Sequence, residues 1–576
     1  MTVLRKLRSQ RWLDNNDFRT FNHRSRFMQM GYDSKDWQGK PLVAILNSWS
    51  EYNPCHMHFR QRVDDVKRGV LQAGGFALEM PTMSLNDAIV KPSALLYRNM
   101  MAMEVEEMIR CYPVDAVVLM GGCDKTTPAM LLGATSADVP AIFLPAGPML
   151  RGNSRGRTLG SGSDAFKSWD DRRSGLITEP EWDSIISGIA RSPGTCMTMG
   201  TASTMTAIAE ALGMALPGAS SVPAVDAGHQ RMSAEVGRRI VEMARRPAPP
   251  QIQTRNAFLN AITVAMAMGC STNAIIHVIA MARRAGRTDV GLDDFDALSR
   301  TVPVIANIRP NGTSSYLMED FYYAGGLPAL MKRLSPHLHM DEKTVSGQTV
   351  GENIAAAQVY DDDVIRTLDN AVYNEGSLAV LRGNIAPDGC VIKPSAMSEK
   401  FLRHSGPAVV FDNYPSLKKM LDDEHADITE DHVIVLRNAG PKGGPGMPEW
   451  GMVPVPVRLL KQGVRDMLRI SDARMSGTSY GACVLHVAPE AHVGGNLALV
   501  KTGDLITVDV PNRRIHMAVS DEELARRRRE WKAPAARFGR GYGWMFSQHI
   551  LQANEGCDMD FLQTQFGESA GEPDIF

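Results

Sequence analysis

The sequence predicts an α/β protein in two parts, a parallel-sheet α/β domain followed by a β-rich, barrel-like domain. Three observations carry this reading. From residue 41 onward, short and wholly apolar runs alternate with helix-length stretches, the pattern of strand–helix–strand units with helices on both faces of a parallel sheet. Near residue 375 that alternation gives way to β-rich runs parted by Gly, Pro and Asn. The 576 residues also exceed what one hydrophobic core serves, so at least two domains are expected.

Taken in order, residues 1–40 are polar, Arg-rich and irregular, an arm expected to lie on the main body. The α/β domain then runs over 41–374. Segment 41–48 (PLVAILNS) is an apolar run that turns polar, a buried strand feeding a loop. A helix is expected over 58–73, and a strand over 76–80 after Gly74-Gly75. The clearest buried strand is 115–120 (DAVVLM), closed by Gly121-Gly122 and followed by helix around 129–134; 141–145 is a further short strand. Residues 256–282 hold no Asp, Glu, Lys or Arg, and 261–282 is long enough to cross a bilayer. Gly269 to Asn273 and His277 would then sit at mid-depth without partners, so two buried helices broken near Gly269 are expected instead. The second domain, 375–576, reads as strands at 378–382, 408–412, 433–438, 505–510 and 515–519, with Pro511-Asn512-Arg513 turning a hairpin. Segment 520–531 (SDEELARRRREW) carries its own N-cap and an acidic first turn, as a surface helix does.

Composition narrows the function classes. Lys and Arg total 62 against 64 Asp and Glu, a formal charge of -2, which offers no electrostatic footprint for nucleic acid or an anionic membrane. Eight cysteines without framework spacing argue against a disulfide-stapled secreted protein, and the basic N-terminus is not followed by an apolar signal core. A soluble, cytoplasmic protein is expected.

Three cysteines sit in similar loops of small and polar residues: Cys55 in NSWSEYNPCHMH, Cys123 in LMGGCDKTTPAM and Cys196 in SPGTCMTMGTAST. Cys123 follows a strand and precedes a helix, where helix N-terminal amides favour a thiolate. On spacing alone the three fit structural cysteines, an iron–sulfur cluster or a catalytic thiol. Zinc lacks support, since there is no CxxC pair and no HExxH. Asp87, Asp124, Lys125 and Glu449 lie in loops; each alone reads as a surface charge, while together their oxygens would suit Mg²⁺. Glycines 440, 443, 444 and 446 could form a backbone nest for an anion, although the Walker pattern is absent. In SDARMSGTSYG (471–481), small hydroxyl residues between Arg and Gly are consistent with a plain turn.

Together, GGCDKTTPAMLLGA, SPGTCMTMGTASTM, GCSTNAIIH, YYAGGLP, LRGNIAPDGCVIKPSA, NAGPKGGPGMPE and ISDARMSGTSYG resemble the dihydroxy-acid and sugar-acid dehydratase family over about residues 40 to 500. The resemblance implies a cluster on Cys55, Cys123 and Cys196, with [2Fe–2S] favoured over [4Fe–4S] as in the pentonate branch. It implies a magnesium site of Asp124, Lys125 (carbamylated in some members) and Glu449, with Asp87 where Glu is usual, and Ser476 as the base. It further implies an α/β domain and a barrel-like domain with the active site between them, and a homodimer or homotetramer. A second departure from the family pattern is Cys55-His56 in place of Cys-Asn. The N-terminal stretch LRSQRWLDNNDFRTFNHRSRFMQMGY looks more like the aldonate branch than the branched-chain amino-acid branch. The expected reaction is dehydration of a 2,3-dihydroxy sugar acid to a 2-keto-3-deoxy acid, with dihydroxy-acid dehydration as the alternative.

Overall fold

The computed structural model describes residues 6–137, 139–246, 251–313 and 315–562. Residues 1–5 of the expected arm and 563–576 of the expected second domain lie outside the described residues.

The arm is helical rather than irregular, forming Gln10–Leu13 (α1), Phe18–Gln29 (α2) and Ser34–Trp37 (α3). Asp17 caps α2 by accepting from the Thr20 amide. Leu13, Phe27 and Trp37 pack on Leu42 and Phe76 at one edge of the first sheet. These few apolar residues are diluted among arginines, which hides the helical period; packing on the sheet edge decides the outcome.

Leu42–Asn47 (β1), Phe59–Gln72 (α4), Phe76–Pro81 (β2), Ala94–Cys111 (α5), Ala116–Gly121 (β3), Thr126–Ala137 (α6) and Ala141–Pro145 (β4) follow, close to the sequence expectation. The four strands form an all-parallel sheet in the order β2-β1-β3-β4. Every residue of β1, β3 and β4 is buried, as expected for strands covered on both faces. A short hairpin, Gly152–Ser154 (β5) with Arg157–Leu159 (β6), leads into Ser161–Arg173 (α7), Glu179–Gly188 (α8), Thr201–Ala211 (α9) and Ala227–Arg245 (α10). Helices α4 and α10 cross backbone to backbone at Gly69 and Gly237, where a Cβ would come within 1.9 Å of Ala234 O and 2.2 Å of Val66 O respectively. The uncharged stretch becomes Arg255–Met268 (α11) and Asn273–Arg284 (α12), parted by Gly269 at φ +75°. Among the described residues no helix is long and apolar enough to cross a membrane.

The second sheet has eight strands: Ala379–Leu381 (β7), Gly389–Ile392 (β8), Arg403–Phe411 (β9), Val433–Leu436 (β10), Arg469–Ser471 (β11), Cys483–Ala488 (β12), Leu505–Asp509 (β13) and Arg514–Met517 (β14). Their order is β14-β13-β9-β10-β11-β12-β8-β7, with a parallel centre, β9 to β12, and antiparallel flanks. The two edges nearly close on each other through Arg382: its amide donates to Arg513 O and its carbonyl accepts from the Ile515 amide, each at 3.0 Å. Near-closure removes most of the exposed edge and produces the barrel-like form. The expected hairpin is β13–β14, and the 520–531 helix is observed as Asp521–Glu530 with Ser520 as its cap.

Candidate active site

In parallel sheets, functional groups collect in the loops beyond the carboxyl ends of the strands, above all where neighbouring connections diverge. From β1 the chain leaves to β2 on one side, while β3 lies on the other, so that point falls between β1 and β3. Cys55 is in the loop after β1, Asp87 in the loop after β2, and Cys123, Asp124 and Lys125 in the turn after β3. Glu449 and Ser476 follow β10 and β11, again at the carboxyl ends of parallel strands, but of the second sheet. Cys196 arrives on the segment before α9.

A cavity of about 760 Å³ is lined by Cys55, Cys123, Cys196, Asp87, Asp124, Glu449 and Ser476. Lys125 stands behind its wall. Five helices, α5, α6, α7, α9 and α12, begin at this cavity: Ala94, Gly162 and Ala202 line it, Asp124 and Lys125 lead into α6, and Asn273 hydrogen-bonds Glu449. Their N-terminal dipoles favour negative charge there.

Carboxylate oxygens of Asp87, Asp124 and Glu449 lie within 4.8 Å of one another. Lys125 is fully buried, with Nζ 3.3 Å from Asp87 and 3.9 Å from Asp124, yet it makes no aligned hydrogen bond. Burial is the largest influence on Asp87 and pushes its carboxyl up, but Lys125 and Arg474 outweigh it and hold the group below the ordinary value. Asp124 is raised, chiefly by burial, and Glu449 is pushed up to about 7 by burial and then by the charge of Asp87. Three clustered oxygens, with a buried amine 3.3 Å from one of them, are a donor set that a hard divalent cation fits.

All three cysteines are free. The Cys55 thiol is raised well above its ordinary value by its hydrogen bond with Cys123 and by burial; Cys196 is pushed up to about 12 by burial and by Asp124. Three thiols from separate loops around one cavity suit a cluster that leaves part of its coordination open.

His56, beside the first cysteine, organises this corner from below. It is fully buried, and its Nε2 accepts the Cys123 amide at 3.0 Å, so the ring proton sits on Nδ1, facing Ser48 O at 3.1 Å. Burial lowers its pKa to about 4, so the ring is neutral. His58 instead meets Ala146 O through Nε2 at 2.8 Å.

Ser476 is half-buried, its Oγ 3.0 Å from Thr478 Oγ1. Thr478 is wedged against Gly162 and Gly200, where a Cβ would come within 2.1 Å of its Oγ1 and 2.7 Å of its Cγ2. Arg474 and Asn273 lie within the motifs ISDARMSGTSYG and GCSTNAIIH, where nothing local assigns them a task. The buried Arg474 guanidinium spans Met447 O (2.7 Å), Glu449 (3.1 Å), Asn273 Oδ1 (3.2 Å) and Ser93 Oγ (3.2 Å), tying both sheets' loops together. Four groups between 25 and 381 residues away in the chain share this one side chain, a convergence that no local pattern announces. The glycine nest is occupied from within. Its anion is the chain's own Glu490, which accepts from the Lys442 amide at 2.9 Å and the Gly443 amide at 2.8 Å.

Residues 40–353 match the dihydroxy-acid/6-phosphogluconate dehydratase N-terminal family, and residues 363–557 match its C-terminal counterpart. The chain belongs to the dihydroxy-acid/6-phosphogluconate dehydratase family. It is 52% identical to the 6-deoxy-6-sulfo-D-gluconate dehydratase of Pseudomonas putida, over 99% of each chain. It is 47% identical to the L-arabinonate dehydratase of Rhizobium leguminosarum bv. trifolii, over 99% of this chain and 98% of that one. A dihydroxy-acid dehydratase of Caldanaerobacter subterraneus is 38% identical, over 93% and 96%.

His56→Leu fills similar space but leaves the Cys123 amide unpaired. Its unfolding free energy, read from denaturant titration, should fall by about 1–3 kcal/mol. A variant as stable as the parent would show that the amide finds another partner.

Proposed function

We propose that this protein is a hydro-lyase that removes water from a 2,3-dihydroxy sugar acid and yields a 2-keto-3-deoxy acid. The observation that carries the reading is the single cavity in which three cysteines, three clustered carboxylates and Ser476 meet. Relatives named for sulfogluconate and arabinonate, at 52% and 47% identity, support a sugar acid over the reaction of the relative named dihydroxy-acid dehydratase, at 38%.

Cys55, Cys123 and Cys196 would hold the iron–sulfur cluster, in the [2Fe–2S] form. Asp87, Asp124 and Glu449 would hold Mg²⁺, with Lys125 beside them and, if carbamylated, an oxygen donor as well. When bound, these groups supply Lewis acidity for the departing hydroxyl and for charge that develops beside the substrate carboxylate.

The chain's own residues account for proton movement, orientation and dryness. Ser476 Oγ takes the proton from C2 as the C3–O bond breaks, and that proton passes to the departing hydroxyl, which leaves as water and restores Ser476. The resulting enol tautomerises to the 2-keto acid, so one water is released per turnover. A serine is a weak base at neutral pH, and the positive charge of Arg474, which lines the same cavity, favours its alkoxide. Thr478, held by the close approach of Gly162 and Gly200, keeps the Ser476 hydroxyl in place. Met149, Phe166 and Trp450 form the apolar wall that limits water.

Anaerobically prepared protein should release 2-keto acid from at least one aldonate in a panel that includes sulfonated and neutral members. Turnover of 2,3-dihydroxyisovalerate alone would overturn the substrate class. Ser476→Ala should keep fold and visible absorption while turnover falls by a factor of about 10² or more. Exchange of the C2 hydrogen with solvent deuterium should vanish with it. Near-normal turnover would move the base elsewhere, with Thr478 the next candidate. Cys270→Ala, altering a buried thiol 3.4 Å from Ser377 Oγ and outside the cavity lining, should retain activity.

A further inference from the structure

We infer that Glu490 is a positioning residue: its buried carboxylate fills the glycine-rich nest from inside the protein and fixes the loop that presents Glu449 to a divalent cation. The inference rests on the metal reading above and adds to it a residue that lies outside the cavity lining.

Glu490 has no exposed surface, so no outside anion reaches the nest in its place. One carboxylate oxygen accepts from the Lys442 amide (2.9 Å) and from Gln552 Nε2 (3.0 Å). The other accepts from the Gly443 amide at 2.8 Å and the Lys442 amide at 3.1 Å. Gln552 closes the arrangement by accepting the Glu490 amide through Oε1 at 2.9 Å. The loop passes close over this carboxylate: a Cβ at Gly440 would stand 2.6 Å from Glu490 Oε2, which is why glycine is needed there.

A second buried carboxylate runs alongside. Asp472 accepts from the Ala439 and Ala491 amides, each at 2.9 Å, and so joins the start of the loop to the residue after Glu490. At the far end, Ser93 Oγ donates to Gly446 O at 2.8 Å and Arg474 Nε donates to Met447 O. Between these anchors the path of 439–447 has no slack, and Glu449 emerges two residues later. Burying a carboxylate is costly unless its oxygens are satisfied, and here they are met almost wholly by the loop's own amides. Only a carboxylate offers two acceptor oxygens in this place; an amide of the same shape turns one of them into a donor facing another donor.

The test uses the full chain, purified anaerobically and freed of divalent cation. Mn²⁺ affinity is read by electron paramagnetic resonance and loop protection by hydrogen–deuterium exchange. Glu490→Gln should weaken Mn²⁺ binding about tenfold or more, the usual scale for losing an outer partner of a metal ligand. It should speed exchange across 439–447 while iron content stays at the parent level. Gln552→Ala should shift both readouts in the same direction by less, and it decides the matter if Glu490→Gln does not accumulate folded. Unchanged Mn²⁺ affinity in a folded variant would overturn the inference. So would a loss of affinity that comes with faster exchange throughout the chain and lost iron, because Glu490 would then be a general fold residue. If the parent protein binds no Mn²⁺, or if Asp124→Asn leaves its binding unchanged, the metal reading itself falls and this inference with it.

Discussion

Three carboxylates held within 4.8 Å of one another impose the constraint on which the rest of this protein depends. Two like charges at that spacing repel by about 3–4 kcal/mol at the effective dielectric of a partly dry site. The fold meets this with Lys125 and Arg474, both buried, and with the N-termini of five helices aimed at one cavity. Burial, and after it the charge of Asp87, still pushes Glu449 up to about 7. Holding three acids this close therefore calls on cations from both halves of the chain.

That requirement explains the architecture around it. One parallel sheet brings Cys55, Asp87, Cys123, Asp124 and Lys125 to its carboxyl edge, and the parallel centre of the second sheet brings Glu449 and Ser476 to the same space. Neither sheet alone assembles a complete set. Arg474 is the joint: it reaches Ser93 and Asn273 from the first half of the chain and Met447 and Glu449 from the second. The C-terminal segment adds a further tie, with Arg284 gripping Asp558 and Arg98 reaching the carbonyls of Gly556 and Cys557.

The sequence was most legible where physics is local. Strands β1, β3 and β4 are buried on both faces, so they read as unbroken apolar runs. Gly269 separates two uncharged helices because its left-handed backbone ends the first. The candidate residues were found as types in loops, but their common cavity was implied only by family resemblance. What stayed hidden depends on distant partners. The arm's helices rest on Phe27 and Trp37 meeting a sheet edge, and the second sheet closes through Arg382 and Arg513. The glycine nest pointed correctly to an anion, but nothing near it in sequence revealed that the anion is Glu490, some 47 residues on.

Under the proposed function, thiols and carboxylates of one cavity form two adjacent but separate metal sites. The most direct measurement is anomalous X-ray scattering from crystals of anaerobically prepared protein exchanged into Mn²⁺. An iron signal of two atoms per chain is expected beside Cys55, Cys123 and Cys196, and a separate manganese signal among Asp87, Asp124 and Glu449. One metal position shared by thiols and carboxylates, or iron absent from the three cysteines, would contradict it.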